Sequence, residues 1–218
     1  MKRLVVGIIL SVLVATNSWA TYTGSLEGPA TLYGTGSWST GTLEWNVSVD
    51  SSDLWTYDYT FTVSRKDISH LIFEVSSTFD DSNIYEGTTG GYELDTYDSS
   101  NGNPGIPGSI FGLKWDLDVD TTSASVTIVT DRAPMWGDFY AKGGVEKIDG
   151  VKTKLFAYNT QFGSDTLTSI GSGKAGGWAL VPNTHTGSGA PVPEPSTMLL
   201  FGFGMIGLAG VGGKRLRK

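Results

Sequence analysis

Along most of the chain, apolar and polar residues alternate one for one. Leu43, Trp45, Val47 and Val49 alternate with Glu44, Asn46 and Ser48. After Asp50-Ser51-Ser52-Asp53 the pattern resumes, with Trp55, Tyr57, Tyr59, Phe61 and Val63 set against Thr56, Asp58, Thr60 and Thr62. Successive side chains of a strand point to opposite faces, so each run predicts a strand with one buried and one wet face. The short polar loop between them predicts an antiparallel hairpin. Further runs occupy residues 71–75, 111–119, 123–130, 154–158 and 178–181. About eight to eleven short strands separated by turn signals predict an all-β body, an antiparallel β-sandwich of jelly-roll or immunoglobulin-like layer plan. Residues 64–70 and 137–141 are expected to form short helical turns, and 98–109 (DSSNGNPGIPGS) to be an exposed connection within the body. No fixed-period repeat stands out, which argues against a solenoid or propeller.

The two ends break this pattern. Lys2-Arg3 precedes an apolar run of residues 4–14, and Ser18 and Ala20 then occupy the −3 and −1 positions of a cleavage site after Ala20. These are the parts of a secretory signal peptide, and the run is well short of the roughly 20 residues a spanning helix needs. At the other end, residues 187–195 (GSGAPVPEP) form a Gly/Pro linker that cannot enter a sheet interior. An uncharged apolar stretch at 196–213 follows, then the basic cluster Lys214, Arg215, Arg217 and Lys218. That stretch is long enough to span a bilayer as a helix, with the basic cluster kept cytoplasmic. The expected division is therefore signal peptide 1–20, β body 21–186, linker 187–195, membrane helix 196–213 and cytoplasmic tail 214–218.

Composition and charge narrow the chemistry. With no cysteine, the fold has no disulfide and no thiolate nucleophile or metal ligand. Six of the 15 Lys and Arg lie in the two tails, so nine bases face all 22 acids between them, a net charge of −13. Such a body argues against binding nucleic acid or anionic lipid through a basic patch.

Four constellations could carry chemistry. His70 and His185 are the only histidines, and no Gly-x-Ser-x-Gly elbow accompanies them, which speaks against a His-based hydrolase and for a non-enzymatic body. In a strand Asp116, Asp118 and Asp120 share one face, about 6–7 Å between neighbours, and with a loop they could supply oxygens to Ca²⁺. The spacing does not complete an EF-hand, since Thr121 stands where glycine is needed, and the tract reads more readily as a solvated strand face that discourages edge pairing. No other cofactor is indicated. Asp80-Asp81 and Glu93/Asp95 would serve as glycosidase carboxylates only if set about 5–9.5 Å apart across a cleft. Trp38, Trp136 and Tyr140 lie in Gly/Ser/Pro-bordered segments outside the clear alternation. Exposed rings there would stack on sugars while Asp138 accepts hydroxyl hydrogen bonds; alternatively, the rings plug the ends of the sandwich.

Pro193-Glu194-Pro195, the glycine-rich apolar segment and the basic terminus together resemble the PEP-CTERM sorting signal of Gram-negative bacteria. The resemblance implies export through the secretion machinery and signal peptidase, then passage through an inner-membrane intermediate. An exosortase then acts near the motif, leading to the outer surface or release. The body also resembles a group of uncharacterised PEP-CTERM proteins in three places: Trp55 to Val63 with Lys66-Asp67-Ile68-Ser69-His70, residues 134–142, and residues 177–182. That likeness brings no activity with it. The expected role is a structural or interaction component of the extracellular polysaccharide matrix, with exopolysaccharide or other surface proteins as partners. A carbohydrate-binding module and an acid-pair glycosidase are the alternatives.

Overall fold

The computed structural model describes residues 21–117, 120–163, 170 and 176–182. The expected signal peptide with its cleavage at Ala20, the linker, the apolar stretch 196–213, the basic cluster, His185 and Asp118 lie outside the described residues. Among the described residues, no helix is long and apolar enough to cross a membrane.

The described chain is all-β. Its strands are β1 (Thr21–Glu27), β2 (Leu32–Gly34), β3 (Thr42–Val49), β4 (Trp55–Thr62), β5 (Ile68–Glu74), β6 (Tyr92–Tyr97), β7 (Ile110–Asp116), β8 (Ser123–Thr130), β9 (Pro134–Gly137), β10 (Phe139–Ile148), β11 (Val151–Asn159) and β12 (Ala179–Pro182). They form a four-stranded sheet in the order β1-β3-β4-β8, a six-stranded sheet β2-β11-β10-β5-β7-β6 and a two-stranded sheet β12-β9. All the pairings are antiparallel. This order differs from the immunoglobulin one, whose sheets run A-B-E-D and C-F-G.

The expected hairpin is β3–β4, paired from Thr42↔Thr62 to Val49↔Trp55. Its loop closes because the Asp50 carboxylate accepts from the amides of Ser52 and Leu54, while Asp53 takes the left-handed conformation (φ 60°) that Asp tolerates. The buried faces of the two large sheets meet in one core cluster. Tyr59 of β4 stacks on Phe73 of β5 with centroids 3.9 Å apart, and Phe61 lies 5.3 Å from Phe139 of β10. Buried phenols need partners. Tyr57 donates to the Arg132 carbonyl (2.7 Å) and Tyr59 to the Leu180 carbonyl (2.6 Å).

Three local expectations are corrected. Of residues 64–70, the last three begin β5 instead of a helical turn, and residues 137–141 run from β9 into β10. Phe139 and Ala141 enter the main core while Tyr140 enters a second cluster on the sheet's other side, so both faces are covered and the alternation disappears. The 98–109 connection is not simply exposed: Asn103 and Ile106 are buried, and Ile106 caps the second cluster with Ile72, Tyr97 and Ile110.

Candidate binding cleft

The face of the six-stranded sheet turned away from the main core carries the cleft, and an irregularity in β10 builds it. Trp38 ends a 3-10 turn (Gly36–Trp38), is fully buried, and donates through Nε1 to the Arg65 carbonyl. Its ring fills the space where a Cβ on Gly143 would sit, 2.4 Å from Trp38 Cζ2. Strand β10 passes the ring by bulging, so that Lys142 pairs with Phe156 but the next opposed pair is Val145 with Lys154. One extra residue flips every later side chain to the other face. Val145 and Lys147 therefore join Lys142, Lys152, Lys154, Phe156 and Tyr158 on the outward face, with Lys147 directly opposite Lys152. Asp149 and Gly150, both at positive φ (50° and 86°), close the hairpin in the turn an Asp-Gly pair favours.

Lys142, Gly144, Val145 and Lys154 line an open cleft of about 520 Å³ with Ser69 and Pro104. Beyond Gly144 a second hollow of about 380 Å³ meets Asp67 and Asp120. Next to the first cleft the face turns aromatic. Phe156 and Tyr158 lie nearly parallel (9°, centroids 6.3 Å apart), and Tyr33 of β2, 44% exposed, stacks on Tyr158 at 4.8 Å.

A buried histidine sits beside the cleft. His70 is 4% exposed, with Nδ1 3.7 Å from Asp116 Oδ1. Burial, followed by the charges of Lys142 and Lys114, lowers its pKa to about 4. These outweigh the opposing pull of Asp116 and Asn103. The imidazole is neutral at neutral pH, and Asp116 is engaged elsewhere, accepting from Lys114 Nζ at 2.7 Å.

The expected sugar platform is corrected by burial. Trp38 and Tyr140 are both 0% exposed and Asp138 is 2% exposed, so none of the three can meet a ligand. Tyr140 donates to the Pro104 carbonyl, and Asp138 accepts from Asn159 Nδ2 and the Gly163 amide, pinning the turn after β11. Trp136 is half-buried, edge-on to Trp45. Trp38 and Tyr140 thus plug and fasten the structure, the alternative the sequence left open, while Trp136 keeps part of its ring exposed.

In the aspartate tract, β7 ends at Asp116, whose carboxylate pairs with Lys114. Asp120 borders the second hollow, and Asp118 lies outside the described residues. Among the described residues, no group of three His, Asp or Glu is gathered for a metal ion. Asp80 caps a 3-10 turn by accepting from Ser82, and Glu93 lies 3.5 Å from Lys114 Nζ. Sequence reasoning missed the lysine and aromatic face, although Lys152, Lys154, Phe156 and Tyr158 alternate in plain view after Asp149-Gly150.

Residues 191–217 match the family model of the PEP-CTERM protein-sorting motif. No curated protein and no solved structure matches the chain. The matched segment holds Pro193, Glu194, Pro195 and the basic cluster up to Arg217, and it carries an address, not an activity. The chain thus carries a PEP-CTERM protein-sorting motif at residues 191–217, a signal that implies export, cell-surface targeting in bacteria and an exosortase as processing partner.

Proposed function

We propose that the chain is a non-enzymatic surface protein whose β body serves as a structural or interaction component of the extracellular polysaccharide matrix. The sorting motif at 191–217 is the observation that carries this reading. On this reading signal peptidase cleaves after Ala20, residues 196–213 hold the chain in the inner membrane of a Gram-negative cell, and processing near Pro193 frees the body. The non-enzymatic part is supported by the state of His70 and of two candidate carboxylates. Glu93 and Asp116 are tied to Lys114, and His70 is buried with its proton lost. A neutral, enclosed imidazole with no nucleophile hydrogen-bonded to it lacks the geometry of a catalytic base.

Replacing Pro193, Glu194 and Pro195 together by alanine tests the sorting step. The expected product is a longer species confined to the membrane fraction, while wild type yields a shorter species in the surface fraction. Identical size and location for both proteins would refute the proposal.

A further inference from the structure

We propose that the outward face of the β10–β11 hairpin is a binding site for an acidic polysaccharide segment. Its lysines would meet the carboxylates, and Phe156 and Tyr158 would stack on sugar rings. This rests on the matrix reading only for the ligand's source; the site itself is argued from charge, register and ring geometry.

Charge is the first support. Lys142, Lys147, Lys152 and Lys154 are four of the nine bases between the tails, gathered on 13 consecutive residues of an otherwise acid-rich chain. The register puts all four on one face, and Lys147 directly opposes Lys152. Like charges opposed across a ladder disfavour the hairpin. Among the described residues no carboxylate lies within ion-pair distance of any of the four, whereas Lys114 on the same sheet has two. A row of uncompensated cations that weakens its own hairpin is accounted for by an anionic polymer laid along it.

Ring geometry specifies the polymer. Lys142 lies opposite Phe156, and Lys154, Phe156 and Tyr158 follow one another on β11, so cation and aromatic surface are continuous. Phe156 and Tyr158 pack on the second core cluster and are half-exposed, and with Tyr33, 44% exposed and stacked on Tyr158, they put apolar ring surface beside the lysines, where the C–H face of a sugar can pack. Space permits it. Gly144 has nothing within 4 Å of where a Cβ would be and needs no left-handed backbone, so its lack of a side chain keeps the cleft mouth open. Of the exposed aliphatic side chains of the hairpin, Ile148 and Val151 lie on the face opposite the lysines and Val145 shares theirs, so the lysine face carries less aliphatic surface to enter a bilayer than the face behind it.

The test uses the full-length chain in non-ionic detergent and a fluorescent oligouronate. Neutral dextran oligomers, single-stranded DNA and phosphatidylglycerol vesicles serve as competing probes. Saturable oligouronate binding is expected, weakening as NaCl rises, with no binding of dextran. K147A/K154A and Y158A should each lose at least tenfold in affinity while keeping the wild-type near-ultraviolet circular dichroism, which shows that they fold. The proposal is overturned by absent oligouronate binding at low salt, by undiminished binding in either variant, or by tighter binding of DNA or vesicles. Matrix residence is measured separately, by fractionating cells that express wild type or K147A/K154A. A wild type missing from the matrix sinks the matrix reading and leaves the oligouronate result to judge the cleft. Oligouronate binding that fails while wild type stays in the matrix sinks the cleft alone.

Discussion

At the scale of single residues, the buried His70 imposes a pH dependence with a definite sign. Lys142 faces it from β10, Lys114 and Asp116 from β7, and Asn103 from the loop above, and the balance holds its pKa near 4. In the unfolded chain histidine titrates near 6.5. Above about pH 6.5 both states are neutral there and the native contribution is complete. Between pH 6.5 and 4 the unfolded chain takes up a proton that the folded chain refuses, so stability falls as pH falls. Below about 4 both are protonated and the loss stops. At about 1.4 kcal/mol per decade of pH, the loss is on the order of 3 kcal/mol. Urea denaturation at pH 7.5 and pH 4 should therefore show wild type losing about that much more than His70→Gln; parallel losses in the two proteins would contradict the assignment. Such burial is hard to foresee. The sequence shows His70 opening an apolar run, but not the 98–109 loop folding over it with Asn103. Trp38 and Tyr140 were misplaced for the same reason. Glycine and serine neighbours mark a turn without saying whether the ring it carries points outward or, as with Trp38, into the core.

At the scale of elements, the legible strands were those with one wet face. The hairpin β3–β4, with Leu43, Trp45 and Val47 inward and Glu44 and Asn46 outward, follows directly from alternation. Strand β10 did not, because Phe139-Tyr140-Ala141 is buried on both faces and the bulge then shifts the period. The binding face went unread with it, since the register that joins Lys142 to Lys147 and Lys152 depends on that one extra residue. Two adjacent glycines separate the bulge's causes. In Gly143→Ala the new Cβ would stand 2.4 Å from Trp38 Cζ2 and 2.8 Å from the Asp67 carbonyl oxygen, neither of which can swing aside. Overpacking of that kind costs about 1–3 kcal/mol. Gly144→Ala meets nothing within 4 Å and should stay within about 0.5 kcal/mol of wild type. Equal melting temperatures for the two variants would show that Trp38 does not force the bulge.

At the scale of the whole molecule, the net charge conceals its own distribution. A surplus of acids between the tails argues against nucleic acid or anionic lipid on a basic patch, but it describes no single face, because charge acts locally. Two residues directly opposed across a ladder have Cβ atoms about 4.5–5.5 Å apart, whereas at 0.1 M salt exposed charges beyond about 10 Å are largely screened. Lysines gathered on one hairpin therefore respond to one another far more than to distant carboxylates. Lys152→Glu decides which scale governs. It makes the chain two charges more negative, which would lower stability if overall repulsion dominated. It also turns the Lys147 opposition into an attractive pair, a gain of about 0.2–1 kcal/mol in cross-strand energy. The local term should win, so Lys152→Glu should melt higher than wild type at low salt, with the difference shrinking as NaCl is added. The same variant should bind oligouronate more weakly, the exchange of stability against function expected where a binding surface is held in a disfavoured state. A variant that melts lower at low salt would mean that the long-range field of the acids outweighs the hairpin. The lysine row would then be no more than a counterweight to them.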